Sequence, residues 1–223
     1  MSSQSKVVAV DIDEVLCHFI PSLAKFHNNN YGTALTSESF VSYQFHEVWG
    51  GTSSDSVIKM ETFYESNYFL QELNPVDGAY EALKALKESV PDLELHLVTA
   101  RQLTLEEQTK TWISKHYPDL FTDIHFGNHY STSGKKRSKP EMCKEIKACC
   151  LIDDSQIYAG QCAKENIPTI LFGNYAWNSR SDEAGGEEWA VPMEILSKVK
   201  RASNWNEAII LVQQTISEES NGN

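Results

Sequence analysis

The chain has 223 residues, 41% of them apolar, enough for one moderately large domain or for a core with a smaller insert. Its 31 acidic and 19 basic side chains leave a formal charge of −12, which argues against a nucleic acid polymer as partner. No run approaches the ~20 apolar residues that span a bilayer, so no membrane partner is expected.

Met1 to Lys6 lead straight into an apolar run and leave no room for a signal peptide. The five cysteines (Cys17, Cys143, Cys149, Cys150 and Cys162) are odd in number and lack C-x-x-C spacing. Together these points predict a cytoplasmic protein with reduced thiols in its core. Lys6–Asp11 reads as a buried strand, Val7-Val8-Ala9-Val10, with Asp11-Ile12-Asp13 at its mouth. Side chains alternate along a strand, so Asp11 and Asp13 start on the same side. Residues 18–74 hold 11 of the 23 aromatic residues, among them Phe19, Phe45, Trp49, Phe63, Tyr64 and Phe69, and lack a parallel-strand pattern. They are expected to form a helical insert over the strand ends.

Beyond residue 75, apolar runs alternate with helical patterns, the signature of βαβ units. Asp77 precedes a helix carrying Leu83, Leu86 and Val90 and closed by Pro91. Further strands are predicted at Glu94–Thr99, Asp123–Phe126, Cys149–Asp153 and Pro168–Phe172. Thr104-x-x-Glu107 reads as a capping box for a helix that stops before Pro118. Ser138-x-x-Glu141 reads as another, placing Lys139 in the first turn of a helix running to about Ala148. A weak helix is expected over Tyr158–Glu165, a long loop over 173–205 with Gly185-Gly186, and an amphipathic helix over Asn206–Ile216. The predicted fold is a doubly wound parallel α/β sheet formed by residues 1–17 and 75–216, with the insert at 18–74 and a flexible tail at 217–223.

Polar marks stand at the ends of these elements. Asp11 and Asp13 follow the first strand, Thr99 closes the second, Lys139 opens a helix, and Asp153-Asp154-Ser155 closes the fourth strand. In a doubly wound sheet the strand C-termini line one edge, and ligands sit where the strand order reverses. All four marks should therefore meet at one site. His125 and His129 straddle a strand end without an HExxH pattern and read as packing or surface residues. Gly134-Lys135-Lys136 lacks the spacing and the hydroxyl residue of a phosphate-binding loop.

The ordered set of D-x-D, a Thr after a strand, a Lys at a helix start and a paired Asp resembles the haloacid dehalogenase-like (HAD) phosphatase superfamily over residues 6–172. Within it, the segments DIDEVL, VTAR, SKPE and LIDDS look most like the 5′(3′)-deoxyribonucleotidase group. Glu14-Val15 departs from the Gly and Thr that many members carry there. The insert is similar to that superfamily's cap.

Charge explains what such a site needs. Two unit charges about 4 Å apart repel by roughly 4 kcal/mol at an effective dielectric of about 20. Asp11, Asp13, Asp153 and Asp154 would reject a phosphate without compensation, and Mg²⁺, a hard cation that prefers oxygen, supplies it. The resemblance implies that Asp11 attacks phosphorus and forms an aspartyl-phosphate, and that Asp13 acts as acid and then base. It further implies that Asp13 gives its backbone carbonyl to the metal and that Asp153 and Asp154 ligate it, one directly and the other through water. Thr99, Arg101 and Lys139 are expected to contact the phosphorylated substrate. Rings at Phe19, Phe45, Trp49 and Tyr64 are candidates for stacking on a nucleobase, or for plain core packing. The expected activity is hydrolysis of a nucleoside (deoxyribo)monophosphate, the alternatives being another small phosphomonoester or a non-catalytic phosphate-binding module. The sequence leaves a homodimer open.

Overall fold

The computed structural model describes residues 6–129, 131, 133–179 and 191–221. Six strands form one sheet: β1 (Lys6–Val10), β2 (Leu93–Thr99), β3 (Asp123–Phe126), β4 (Ala148–Asp153), β5 (Thr169–Phe172) and β6 (Lys200–Ala202). All neighbours are parallel, in the order β3-β2-β1-β4-β5-β6. The central strands are apolar on both faces because both faces are covered. Val8 and Val10 of β1 join one hydrophobic cluster, whereas Ala9 between them joins a second on the opposite face.

The helices follow in chain order. Among the described residues, 19–70 contribute α1 (Phe19–Tyr31), α2 (Phe45–Trp49), α3 (Ser53–Glu65) and α4 (Asn67–Leu70), with no strand. Phe26, Phe40, Phe63 and Phe69 are buried there, with Phe63 edge-on to both Phe19 and Phe69. The chain segments leading into and out of this insert lie side by side. His18 N–H donates to the Asn74 carbonyl (2.9 Å) and Val76 N–H to the Leu16 carbonyl (2.8 Å).

The sheet helices are α5 (Ala79–Ser89), α6 (Glu106–His116), α7 (Lys139–Glu145), α8 (Gln156–Lys164), α9 (Met193–Leu196) and α10 (Trp205–Asn221). Leu83 and Leu86 of α5, Trp112 and Ile113 of α6, and Ala208 and Val212 of α10 pack into the larger cluster. Met142 and Cys143 of α7 and Cys162 of α8 form the smaller one with Ala9, Val98 and Leu151. All five cysteines are buried and none is in a disulfide. No helix among the described residues is long and apolar enough to cross a membrane.

Four expectations change. The loop expected at 173–205 contains α9 and the edge strand β6, whose Lys200-Arg201-Ala202 has no apolar run to betray it. Residues 180–190, including Gly185-Gly186, lie outside the described residues. Thr104 does not cap a helix: residues 103–105 form a 3-10 turn, Thr104 Oγ1 donates to Gln102 Oε1, and α6 starts at Glu106. The helix from Lys139 ends at Glu145 rather than near Ala148, because Lys147 adopts φ +54° and turns the chain into β4. Helix α10 runs through Asn221, so residues 217–221 continue it instead of forming a tail.

Candidate active site

Asp11 leaves β1 beside the end of β4. Val10 pairs in register with Ile152, and Asp11 N–H donates to the Ile152 carbonyl at 2.9 Å. The chain builds outward from β1 to β3 on one side and from β4 to β6 on the other, so this gap is where the strand order reverses. The Ser138 capping box, with its hydroxyl accepting from Glu141 N–H, starts α7 so that Lys139 enters the same gap. Lys139 is fully buried, with Nζ 2.7 Å from Asp11 Oδ1 and 2.6 Å from Asp153 Oδ2. The contact to Asp153 is an aligned hydrogen bond, whereas Asp11 Oδ1 has no aligned donor among the described residues.

Burial works against the Lys139 ammonium, but Asp11 and Asp153 outweigh it and hold its pKa above the ordinary lysine range. Burial pushes the Asp11 carboxyl up, Lys139 pulls it back, and Asp153 and Asp13 raise it again, to about 7. Asp154 is raised well above the usual carboxylate range by burial and by Asp153 and Asp11. Carboxylate oxygens of Asp11, Asp153 and Asp154 all lie within 4.8 Å of one another. Three buried carboxylates against one ammonium leave the cluster short of positive charge. An all-oxygen donor set, with the ion-paired Asp11 oxygen lacking an aligned hydrogen-bond donor, fits a hard divalent cation.

The remaining contacts orient this cluster. Asp153 Oδ1 accepts from Ser155 N–H at 2.8 Å. Asp154 Oδ2 accepts from Trp177 Nε1–H (2.7 Å), in the segment after β5, and from the Tyr43 hydroxyl, in the insert. Thr99 is fully buried, and its Oγ1 accepts from Arg101 N–H at 3.1 Å, which leaves the hydroxyl proton to be donated elsewhere. Past Asp13 the chain bends sharply, with Glu14 at φ +60°. Three aromatic donors from distant elements fix the next carbonyls: Tyr175 to Glu14 (2.7 Å), Trp205 to Val15 (3.2 Å) and Tyr117 to Leu16 (2.7 Å). The buried Glu14 carboxylate accepts from Ile20 N–H in the first turn of α1, and burial pushes its pKa up to about 8.

The family described as "5' nucleotidase, deoxy (Pyrimidine), cytosolic type C protein" matches residues 5–199. The chain belongs to this nucleotidase family. It is a HAD-type phosphatase. No curated protein sequence matches the chain closely enough to count as a relative. A structure described as a predicted phosphatase from Clostridium acetobutylicum is similar with a TM-score of 0.63 and 15% identity, covering 95% of this chain and 100% of that one. A haloacid dehalogenase-like hydrolase family protein from Streptococcus pneumoniae gives 0.62 and 11%, covering 92% and 97%. At such identities the likeness shows the fold.

On this nucleotidase-family chain the structure brings Asp11, Lys139, Asp153 and Asp154 together as the spacing predicts, with Thr99 at the end of the adjacent strand β2. Asp13, expected to give a metal its backbone carbonyl, keeps its side chain apart. Its carboxylate is not in the acidic cluster but turns to Arg101, which reaches both of its oxygens. Arg101, expected on substrate, is likewise committed to Asp13. Phe19 is 6% exposed and packs edge-on against Phe63 and Phe69, so its ring is not offered to a ligand. Trp49 stacks on His27 (4.8 Å, 3°) and donates to Ser56 Oγ, again inside the insert. Phe45 and Tyr64 are half-buried beside these clusters. Tyr43 and Trp177 escaped the sequence reading. They come from segments without periodic pattern, and only the folded chain brings them to Asp154. His129 bonds Tyr158 and the Arg137 carbonyl, and His125 stacks on His96, which are packing roles.

Proposed function

We propose that the protein is a cytoplasmic, magnesium-dependent phosphatase of nucleoside (deoxyribo)monophosphates that works through an aspartyl-phosphate on Asp11. The observation that carries this reading is the buried cluster of Asp11, Asp153 and Asp154 around Lys139, at the reversal of strand order. The family match supports the nucleotide, and five buried cysteines outside any disulfide suit a reducing compartment. Mg²⁺ held by Asp11, Asp153, Asp154 and the Asp13 backbone carbonyl would supply the positive charge that lets a dianionic phosphate approach three carboxylates.

The protein's own groups then divide the work. Asp11 attacks phosphorus in line, and the ester oxygen departs as an alcohol with a proton from Asp13. Lys139 and the Thr99 hydroxyl hold phosphoryl oxygens, with the N-terminus of α7 adding to the field. In the second half Asp13 takes a proton from the water that hydrolyses the aspartyl-phosphate. Phe45 and Tyr64, both half-buried, would contact the base. The insert reaches the cluster through Tyr43, and a seated insert keeps bulk water away from the intermediate.

The test is a panel of nucleoside monophosphates, deoxynucleoside monophosphates and sugar phosphates, assayed for phosphate release with Mg²⁺ and with chelator. Nucleotides should lead the panel, and chelator should abolish release. Turnover confined to other phosphomonoesters would remove the nucleotide assignment. Undiminished release in chelator would remove the metal.

A further inference from the structure

Arg101 is buried, and each of its three guanidinium nitrogens donates to a protein group. Its guanidinium donates from Nε to Asp13 Oδ2 (3.1 Å) and from Nη2 to Asp13 Oδ1 (2.6 Å). Nη1 donates to Thr109 Oγ1 (3.1 Å), and Nη2 lies 3.6 Å from Cys17 Sγ. One face of the fork is covered by the ring of Phe69, from α4 of the insert, at 5.1 Å. The Arg101 side chain is 3% exposed and that of Asp13 is 25% exposed, so the acid looks outward while its partner is fixed from behind. A lone Asp side chain turns freely about its last torsion. A two-point guanidinium fork fixes the carboxylate plane, which a single ammonium cannot do.

We propose that Arg101 is a positioning residue that aims Asp13 at the leaving oxygen, and that Phe69 holds Arg101 in that pose. Leaving-group protonation is thereby tied to the seating of the insert. The inference rests on Asp13 being the acid of the reaction proposed above. In that step an Asp11 oxygen forms the new bond to phosphorus as the ester P–O bond breaks. The bonding pair stays on the ester oxygen, which takes the proton from the Asp13 carboxyl, and Asp13 is left as the carboxylate paired with Arg101.

The test uses two substrates that differ in their need for that proton. An alkyl phosphomonoester, the best one found in the panel, must expel a basic alkoxide. p-Nitrophenyl phosphate expels a stable phenolate and needs no proton. The value of kcat/KM reports on this first half-reaction for both, with the full-length Mg²⁺-supplemented enzyme. Arg101→Lys and Arg101→Ala should lose on the order of 100-fold on the alkyl ester and less than about 10-fold on the aryl ester, the scale of a misaimed proton donor. Phe69→Leu should shift the same ratio in the same direction by several-fold.

Asp13→Asn separates the two ways of failing. Equal loss on both substrates in Asp13→Asn removes the acid assignment and this inference with it. Selective loss in Asp13→Asn, together with equal loss in Arg101→Lys and Phe69→Leu, overturns the positioning role alone. If Arg101→Ala does not fold, as judged by circular dichroism, Arg101→Lys and Phe69→Leu decide the question.

Discussion

Asp11→Asn should raise the thermal stability of the cation-free protein while abolishing turnover. The buried Asp11 carboxyl carries a pKa of about 7 in place of the ordinary 3.8, burial being the largest cause. A group raised in this way contributes stability that is fully present below the unfolded value and is lost as pH rises through the folded one. Above pH 7, keeping the carboxylate ionised in the fold therefore costs about 4 kcal/mol, from roughly three pH units at about 1.36 kcal/mol each. Asparagine removes that cost but pairs less well with Lys139, so a net gain of roughly 2–4 kcal/mol is expected. For a chain of this size each kcal/mol moves Tm by about 2–4 °C, which gives a rise of roughly 4–16 °C at pH 8. The assay is calorimetry of both proteins in chelator from pH 4 to pH 8. The gap should be absent near pH 4, open between pH 4 and pH 7, and level off above. Adding Mg²⁺ at pH 8 should reverse the order, because the cation is expected to bind the three-carboxylate cluster more tightly than the variant. A variant that melts at or below the wild-type temperature at pH 8 in chelator would refute the account of crowded charge.

Other outcomes follow from contacts farther away. His27, held between Thr33 and Lys59, has its pKa lowered to about 4 by burial and by Lys59, so it gives stability above pH 6.5 that is lost as pH falls toward 4. His27→Gln should flatten that loss, worth about 2–3 kcal/mol, in melts compared pairwise with wild type. Trp112→Phe removes the indole N–H from the buried Leu73 carbonyl (2.8 Å). It should lower the urea midpoint by the equivalent of about 1–3 kcal/mol with an unchanged m-value. A thiol reagent should find no fast-reacting cysteine in the native protein and five after denaturation.

What the sequence made legible was what local chemistry decides. Val7-Val8-Ala9-Val10 and Cys149–Ile152 are apolar on both faces, so they had to be central parallel strands, and the acids behind them had to emerge at one edge. Ser138 and Glu141 announce the start of α7, so the sequence alone places Lys139 in its first turn. The direction of Asp13 could not be read in the same way. The strand ends at Val10, so alternation no longer governs Asp13, whose carboxylate turns to Arg101, 88 residues on. The meeting of Tyr43, Asp154 and Trp177 is wholly tertiary, between segments with no shared pattern. β6 is too short and too charged to stand out from the coil around it.

The paired backbone at Leu16–His18 and Asn74–Val76 has a consequence for how such a molecule can diversify. Because the two chain ends of the insert are stitched together at the sheet's rim, the reacting edge feels the insert through side chains such as Tyr43 and Phe69 rather than through its length. Doubling that excursion would add only about 0.6 kcal/mol of closure entropy. Selectivity can therefore be rewritten by exchanging what lies outboard, provided that rings like Tyr43 and Phe69 still meet the reacting edge.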